Sequence, residues 1–522
     1  FFSPFRHFAM EISALIAESP LIVIVVTCVL VCLVKFGVGF ATSPLRKIPG
    51  PSSNTSIIGF ICGQFLDVLR EEPCLPHLRW ASKYGSTVSY RFFLGQRVLI
   101  ASPSALKHVL VTNARNYPKG ARILRILKGV VGEGLLTTHG KNHKRQRAYL
   151  SPAFHFVHHA KFMVVFSECA KNLCQFLSAG EPEAVVDISS AMTKLTLDII
   201  GLAAFGCDFQ AQGGSGTQSD ILSAYETLFD STKLSVASFF PWLENLPTPY
   251  NRRVRAARET IRSKVLEIID QKRREADAGE GAEATDLLGL LLKQTGVDEE
   301  GNSISTKELD PQELIDQVLT FLTAGHETTS TTLCWALHLL SLNPDSQLRV
   351  QAELDAVLEG RAPELHDFDH LPVLKAALDE TLRLFPAAAI TNRTAIHDDV
   401  IDGFKIPAGT DFIISPVVMH RLPSLWANPG EFVVDRWLDE SQKDEGAKSP
   451  FTYMPFLVGP HGCIGRRFAH LEACTALAAL LQQFSFKPVP GRPVKATLRV
   501  TQRPTPSLHL VVSRRSAATG LG

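Results

Sequence analysis

The chain has 522 residues, of which 45% are hydrophobic, 20% charged and 8% aromatic. That mix excludes a disordered, collagen-like or coiled-coil chain and is too polar for a multi-pass membrane protein. Lys and Arg number 53 against 52 Asp and Glu, and this near balance weighs against a general nucleic-acid binder. Ten cysteines without a Cys-x-x-Cys pair disfavour a disulfide scaffold, a zinc ribbon and a thioredoxin-like site.

The first element in the chain is Leu21 to Ala41, an apolar run whose one charge is Lys35. A helix needs about 20 apolar residues to cross the hydrocarbon layer, so residues 21–41 predict a transmembrane anchor. Lys35 lies near its end and can snorkel to the interface. The alternative is a secretory signal peptide, whose apolar region is usually shorter and ends at small residues. Here the run meets Arg46, Lys47 and the rigid Ile48-Pro49-Gly50-Pro51. Glu11 and Glu18 precede the run, and the positive charge follows it. The positive-inside rule then makes residues 1–20 lumenal and the body cytosolic. Residues 42–51 form a basic, proline-rich hinge.

The body, residues 52–522, shows no internal repeat and reads as mainly α with small β-sheets. Strand-like runs occur at Thr87–Phe93, Arg97–Ala101, Thr410–Ile414 and Leu508–Val512. The segment Arg252 to Arg274 is dense in Lys and Arg and reads as a solvated helix face. Polar stretches at 276–285 and 295–306 read as surface loops. Asp310-Pro311-Gln312-Glu313 is a capping box with proline at the first helical position. The helix it starts should run to Asn343-Pro344, on the order of 48 Å at 1.5 Å per residue. Gly325 and the threonines after it should weaken that helix locally.

Near the carboxyl end, Cys463 sits in a glycine-rich turn, Phe456-Leu-Val-Gly459-Pro460-His461-Gly462-Cys463-Ile464-Gly465, just before a helical run. Glycines allow close backbone approach to a flat ligand, and a helix amino terminus favours a thiolate. A buried structural cysteine beside a turn is the other reading of these residues. Ala324-Gly325-His326-Glu327-Thr328-Thr329 also reads two ways. It is a kinked helix with back-bonded threonines, or a place where small Ala324 and Gly325 leave room over a flat cofactor. In the second case Thr328 bonds a distal oxygen and Glu327 relays protons through water.

The cysteine loop resembles the haem-binding loop of the cytochrome P450 family, Phe-x-x-Gly-x-x-x-Cys-x-Gly, with Phe456, Gly459, Cys463 and Gly465 at every fixed position. Further segments resemble the family in order. Glu380-Thr381-Leu382-Arg383 resembles its Glu-x-x-Arg and is followed by Leu384-Phe385-Pro386, unlike a decoy at Glu259–Arg262. Phe432–Trp437 resembles the loop that supplies a second arginine, here Arg436, with Val434 in place of the usual proline. Residues 324–329 resemble the oxygen-activation motif. His143 and Arg147 stand at the Trp and Arg of a Trp-x-x-x-Arg helix.

The resemblance implies one mostly α cytochrome P450 fold over about Pro49 to Val512. It implies a single domain where length alone suggested three or four. It implies haem b with Cys463 as the axial thiolate of iron, which favours O–O cleavage. It implies a structural ionic cluster at Glu380, Arg383 and Arg436. Propionate contacts are implied at His143, Arg147, Arg393 and His461. It implies monooxygenation of a lipophilic small molecule by O2. The electrons would come from NADPH through a separate flavoprotein reductase, with cytochrome b5 as a further donor, at the endoplasmic-reticulum membrane. Lys141, Lys144, Arg145, Arg466 and Arg467 would form the reductase docking face. The substrate pocket would draw on Tyr117–Leu135, Thr227–Phe240, Phe321–Ala324 and Ala387–Thr391. The small, apolar Ala387–Ile390 points to a terpenoid or steroid, with fatty acids and xenobiotics as alternatives. A haem-thiolate isomerase or dehydratase, and a non-catalytic haem-binding protein, share these motifs as alternatives.

Overall fold

The computed structural model describes residues 41–52, 62–93, 95–213, 218–231, 241–278, 286–293, 309–439 and 444–515, with Thr27 and Gly39. The expected lumenal segment, nearly all of the expected anchor and most of both polar loops lie outside these residues. Eleven helices carry the argument: α1 Leu75–Tyr84, α2 Ala121–Val131, α3 Gly140–Leu150, α4 His159–Ser178, α5 Ile188–Phe205, α6 Gln218–Ser231, α7 Pro249–Asp277, α8 Pro311–Leu342, α9 Pro344–Leu358, α10 Pro372–Leu384 and α11 Arg466–Gln483.

Helix α8 has the limits its sequence predicts. Asp310 Oδ1 accepts from Glu313 N at 2.8 Å, and Asp310 N donates to Glu313 Oε2 at 3.3 Å. Asn343 closes the far end, and Pro344 opens α9. Apolar side chains on several sides of α8 are buried, from Leu314 to Leu340, as expected of a helix through the middle of the body. The helix continues unbroken through Gly325. A Cβ there would stand 2.6 Å from Ile200 Cδ1 on α5, so glycine lets the two helices approach. The side of Gly325 that a Cβ would occupy therefore faces α5.

Among the described residues, α5 is the one helix long and apolar enough to cross a membrane. Two-thirds of it is buried inside the protein, so its apolarity is that of a core helix. Helix α7 carries the basic run. Val254, Ala257, Ile261, Val265 and Ile268 face inward, and most of its arginines face out, Glu259 of the decoy motif with them.

The strands are short and peripheral. Strands β1 Thr87–Phe92, β2 Gly95–Ile100, β4 Thr391–Thr394 and β7 Asp411–Ile414 form one sheet in the order β1-β2-β7-β4, where only β2 and β7 are parallel. Strands β3 Ala184–Asp187, β8 Phe484–Pro488 and β11 His509–Arg514 form an antiparallel sheet in the order β3-β11-β8. Two hairpins complete the set, β5 Asp399–Ile401 with β6 Phe404–Ile406, and β9 Lys495–Leu498 with β10 Gln502–Thr505. The larger apolar cluster joins the helices around α8. A smaller one sits beneath the four-stranded sheet.

Candidate active site

The loop before α11 is held by its own backbone. Cys463 N donates to Phe456 O at 2.9 Å, and Gly462 N to Gly459 O at 2.9 Å. Gly459 has φ +77, and a Cβ on it would stand 2.2 Å from Leu110 O, so only glycine fits. Gly465 caps α11, and its amide bonds the Cys463 sulfur. Cys463 is the one exposed cysteine among those described. It opens into a recess deep enough that burial raises its pKa, while the Gly465 amide, Arg147 and Arg466 pull the other way. Arg147 Nη1 donates to Gly462 O at 2.7 Å and ties α3 to the loop. Phe456 packs against the core and lies under the Arg466 guanidinium, 5.9 Å from its ring centre.

Basic side chains gather around this recess. The His143 and His461 rings lie 4.0 Å apart. Burial, then Lys119, lowers the pKa of both, to about 4 for His143 and about 2 for His461. Arg393 is 2% exposed, and its bonds go to Thr391 Oγ1 at 3.1 Å and Asn392 O at 2.8 Å. Burial pushes it down to about 10. Lys119 donates to Leu136 O and is pushed down to about 7 by burial and by Arg393. Among the described residues, no Asp or Glu pairs with Lys119, Arg147 or Arg393. Uncompensated cations inside a protein are costly, so this cluster calls for an anionic partner. The two carboxylates of a haem fit that donor set, and the accessible Cys463 sulfur fits its iron.

All four positions expected to face propionates thus lie near one another. Lys119 lies among them, a neighbour that sequence reasoning missed. Its one local signal is a lone lysine in the turn Tyr117-Pro118-Lys119-Gly120.

On α8, Thr328 Oγ1 donates to Ala324 O at 2.7 Å. His326, to which the sequence assigned no role, is buried against the Tyr225 ring at 5.0 Å. Glu327 is 1% exposed and turns toward the β9–β10 hairpin. Thr501 Oγ1 donates to its Oε1 at 2.5 Å, and Arg503 Nε reaches the same oxygen at 2.5 Å. Arg503 Nη2 holds Oε2. Neither partner was legible in the sequence.

The ionic cluster has the expected members and one more. Arg383 gives Glu380 two bonds of 2.8 Å, and both side chains are fully buried. Arg436 Nε adds a bond of 3.3 Å, Val433 N one of 2.9 Å and Trp437 Nε1 one of 2.9 Å. The remaining Arg383 donors meet the carbonyls of His420, Pro429 and Glu431, each at 2.8 Å. Val434 opens a short 3-10 turn that carries Arg436 and Trp437 inward.

Of the expected docking residues, Lys141, Lys144, Arg466 and Arg467 are exposed. Arg145 is half-buried and ion-paired with Glu313, so its charge is offset. In the expected pocket wall Ala387 and Ala389 are buried, and residues 232–240 lie outside the described set. A cleft of about 1400 Å³ between α4 and the turn after α9 holds none of the motif residues.

The family profile described as Cytochrome P450 matches residues 51–511. The chain is 32% identical to cytochrome P450 monooxygenase 205 of Postia placenta, over 89% of this chain and 90% of that one. It is 34% identical to cyclooctatin synthase of Streptomyces melanosporofaciens, over 82% and 87%. It is 30% identical to the chloroplastic carotene epsilon-monooxygenase of Arabidopsis thaliana, over 86% and 83%. The motif geometry and this coverage agree: the chain belongs to the cytochrome P450 family, a haem-thiolate monooxygenase and so an oxidoreductase that acts with O2, a lipophilic substrate and a redox partner.

Proposed function

We propose that the chain hydroxylates a bulky lipophilic molecule, with terpenoids ahead of steroids, fatty acids and xenobiotics, and that Cys463 is its haem ligand. The observation that carries this is that, among the described residues, one accessible cysteine stands beside a cluster of cations that no Asp or Glu pairs with. A haem held there supplies the activation of O2 for insertion into a C–H bond. The chain's own residues do the rest. Lys119, Arg147 and Arg393 hold the propionates as charged donors. His143 and His461 stand beside them as hydrogen-bonding imidazoles. The Gly465 amide and the α11 amino terminus favour the thiolate form of Cys463. Phe456, Gly459 and Gly465 keep that loop rigid, and Ala324 leaves room on the α8 side. Glu327 and Thr328 carry protons to the distal face. The substrate class is supported by the apolar Ala387–Ile390 wall and by a relative whose name specifies carotene, a polyisoprenoid hydrocarbon.

Lys141, Lys144, Arg466 and Arg467 form a basic face for an acidic partner, an NADPH-dependent flavoprotein reductase, with cytochrome b5 as a second donor. Residues 52–522 work as one haem domain. The hinge 42–51 links it to an anchor at 21–41 in the endoplasmic-reticulum membrane, with the domain cytosolic. The test of the ligand is the carbon monoxide difference spectrum of the reduced protein. Wild type gives the red-shifted Soret band of thiolate-ligated haem, and Cys463→Ser loses it. A red-shifted band retained in Cys463→Ser overturns the assignment. Product formation with reductase, NADPH and a terpenoid panel then tests the substrate class.

A further inference from the structure

A group of side chains between α10 and α11 has no part in the chemistry above. His470 and Cys474 are four residues apart on α11 and so share one face. His470 Nδ1 lies 3.7 Å from Cys474 Sγ. Its other ring nitrogen, Nε2, lies 3.5 Å from Asp379 Oδ1 on α10. The Tyr453 hydroxyl donates to that same oxygen at 2.9 Å. A thiol, an imidazole and a carboxylate thus stand in sequence, with the imidazole between the other two. That order suits a nucleophilic cysteine, because the thiolate and not the thiol reacts. Burial pulls the pKa of His470 down, but Cys474 and Asp379 outweigh it and raise it to about 10. The ring is then an imidazolium at pH 7, the counter-charge that a thiolate requires. Among the described cysteines, Cys474 is the one whose sulfur bonds a histidine. Burial pushes the thiol of Cys74 up to about 11 and those of Cys169, Cys174 and Cys334 up to about 12. The side chains of His470 and Asp379 are 27% and 30% exposed, but Cys474 itself is 1% exposed. The group meets solvent while its sulfur is covered, which selects for a reagent close to water in size.

We propose that Cys474 is a redox modification site: His470 holds its thiolate, Asp379 orients His470, and hydrogen peroxide oxidises the sulfur to a sulfenic acid. The sulfur attacks one peroxide oxygen. An S–O bond forms, the O–O bond breaks, and the sulfur gives up the two electrons that the peroxide gains. The hydroxide that leaves takes the proton of the His470 imidazolium and departs as water. The sulfenic acid keeps the hydrogen of the oxygen it gained. A dithiol reductant returns it to the thiol, releasing water and a disulfide.

The test uses the haem-loaded full chain and equimolar hydrogen peroxide, stopped with catalase before the Soret band declines. Every variant is first checked for the red-shifted carbon monoxide band. The tryptic peptide Phe468–Lys487 holds Cys474 as its one cysteine and contains no methionine, so the mass of one added oxygen there reports this sulfur. In wild type this peptide gains the oxygen ahead of the peptides that hold Cys74, Cys169, Cys174 and Cys334, and dithiothreitol removes it. His470→Gln slows the gain roughly 30-fold at pH 7, since an unassisted thiol near its ordinary 8.5 is only about 3% ionised there. Asp379→Asn slows it by less, because the imidazole stays beside the sulfur. Cys474→Ser leaves the peptide without the added oxygen. Should His470→Gln fail to fold, Asp379→Asn carries the comparison. A wild-type rate of oxygen gain in His470→Gln overturns activation by His470, and one in Asp379→Asn overturns the orienting role of the carboxylate. A wild-type peptide that stays unmodified while the other buried cysteines react overturns the site. An added oxygen that dithiothreitol does not remove overturns the sulfenic acid.

Discussion

Lys119 sets its ammonium in the field of the buried Arg393 guanidinium, and no carboxylate among the described residues neutralises either. Burial and Arg393 bring the lysine down to about 7 from its ordinary 10.5. Without haem, the folded protein then binds fewer protons than the unfolded chain between those two values. Stability of the haem-free protein should therefore rise with pH across that window, by up to roughly 1.4 kcal/mol per pH unit. Lys119→Met should remove the slope, stabilise the haem-free protein near pH 7 and speed haem loss to an acceptor globin. Denaturant unfolding at several pH values reads the first two effects. A wild-type profile flat from pH 7 to 10 contradicts the assignment.

The contrast between Lys119 and Asp310 shows what the sequence could reveal. The Asp310–Glu313 cap joins residues three apart, so the limits of α8 were legible. The Cys463 loop was legible for the same reason, since its glycines serve a local turn. Lys119 acts with Arg393 and His461, far along the chain, and its own neighbours form no motif. Arg503 meets Glu327 only because a late hairpin folds back on α8. Trp437 completes the Glu380 cluster through a turn whose proline is absent. Gly325 packs against Ile200, far back along the chain, and that contact leaves no local mark in the sequence.

Gly325 and Ile200 should be coupled energetically. Gly325→Ala gains about 1 kcal/mol of helix propensity but forces a methyl to 2.6 Å from Ile200 Cδ1. Overpacking of this kind costs about 1–3 kcal/mol, so the single variant should be destabilised or near neutral. In an Ile200→Ala background the clash is gone, and Gly325→Ala should become stabilising. A double-mutant cycle of melting temperatures reads this change of sign. Equal effects in the two backgrounds exclude the contact.

The Glu380 cluster predicts a graded loss. Glu380→Gln leaves Arg383 buried without a counter-charge, which should cost about 3–5 kcal/mol and abolish haem incorporation. Trp437→Phe removes one donor to the carboxylate and should cost about 1.5–3 kcal/mol. It should lower the melting temperature but keep the red-shifted carbon monoxide band. A Glu380→Gln protein that loads haem normally shows the cluster to be dispensable.

Glu472 on α11 is a second buried acid beside residues 324–329 of α8, and its position has a different consequence. Thr329 Oγ1 donates to its Oε2 at 3.1 Å, and its Oε1 has no hydrogen-bond partner among the described residues. Burial holds its pKa well above 4.5, against the pull of that one bond. The folded protein therefore keeps a proton that the unfolded chain releases above about pH 4.5. Stability should fall as pH rises from there, by up to roughly 1.4 kcal/mol per pH unit. Glu472→Gln copies the neutral form and can still accept from Thr329. It should match wild type below pH 4.5 and exceed it at pH 7, with haem incorporation intact. Unfolding curves of both proteins at pH 4, 5, 6 and 7 make the comparison. A difference that does not change with pH means that Glu472 is ionised in the folded protein. In that case a cation or water must satisfy Oε1, and α8 would meet α11 through a charge next to Thr328 instead of a neutral acid.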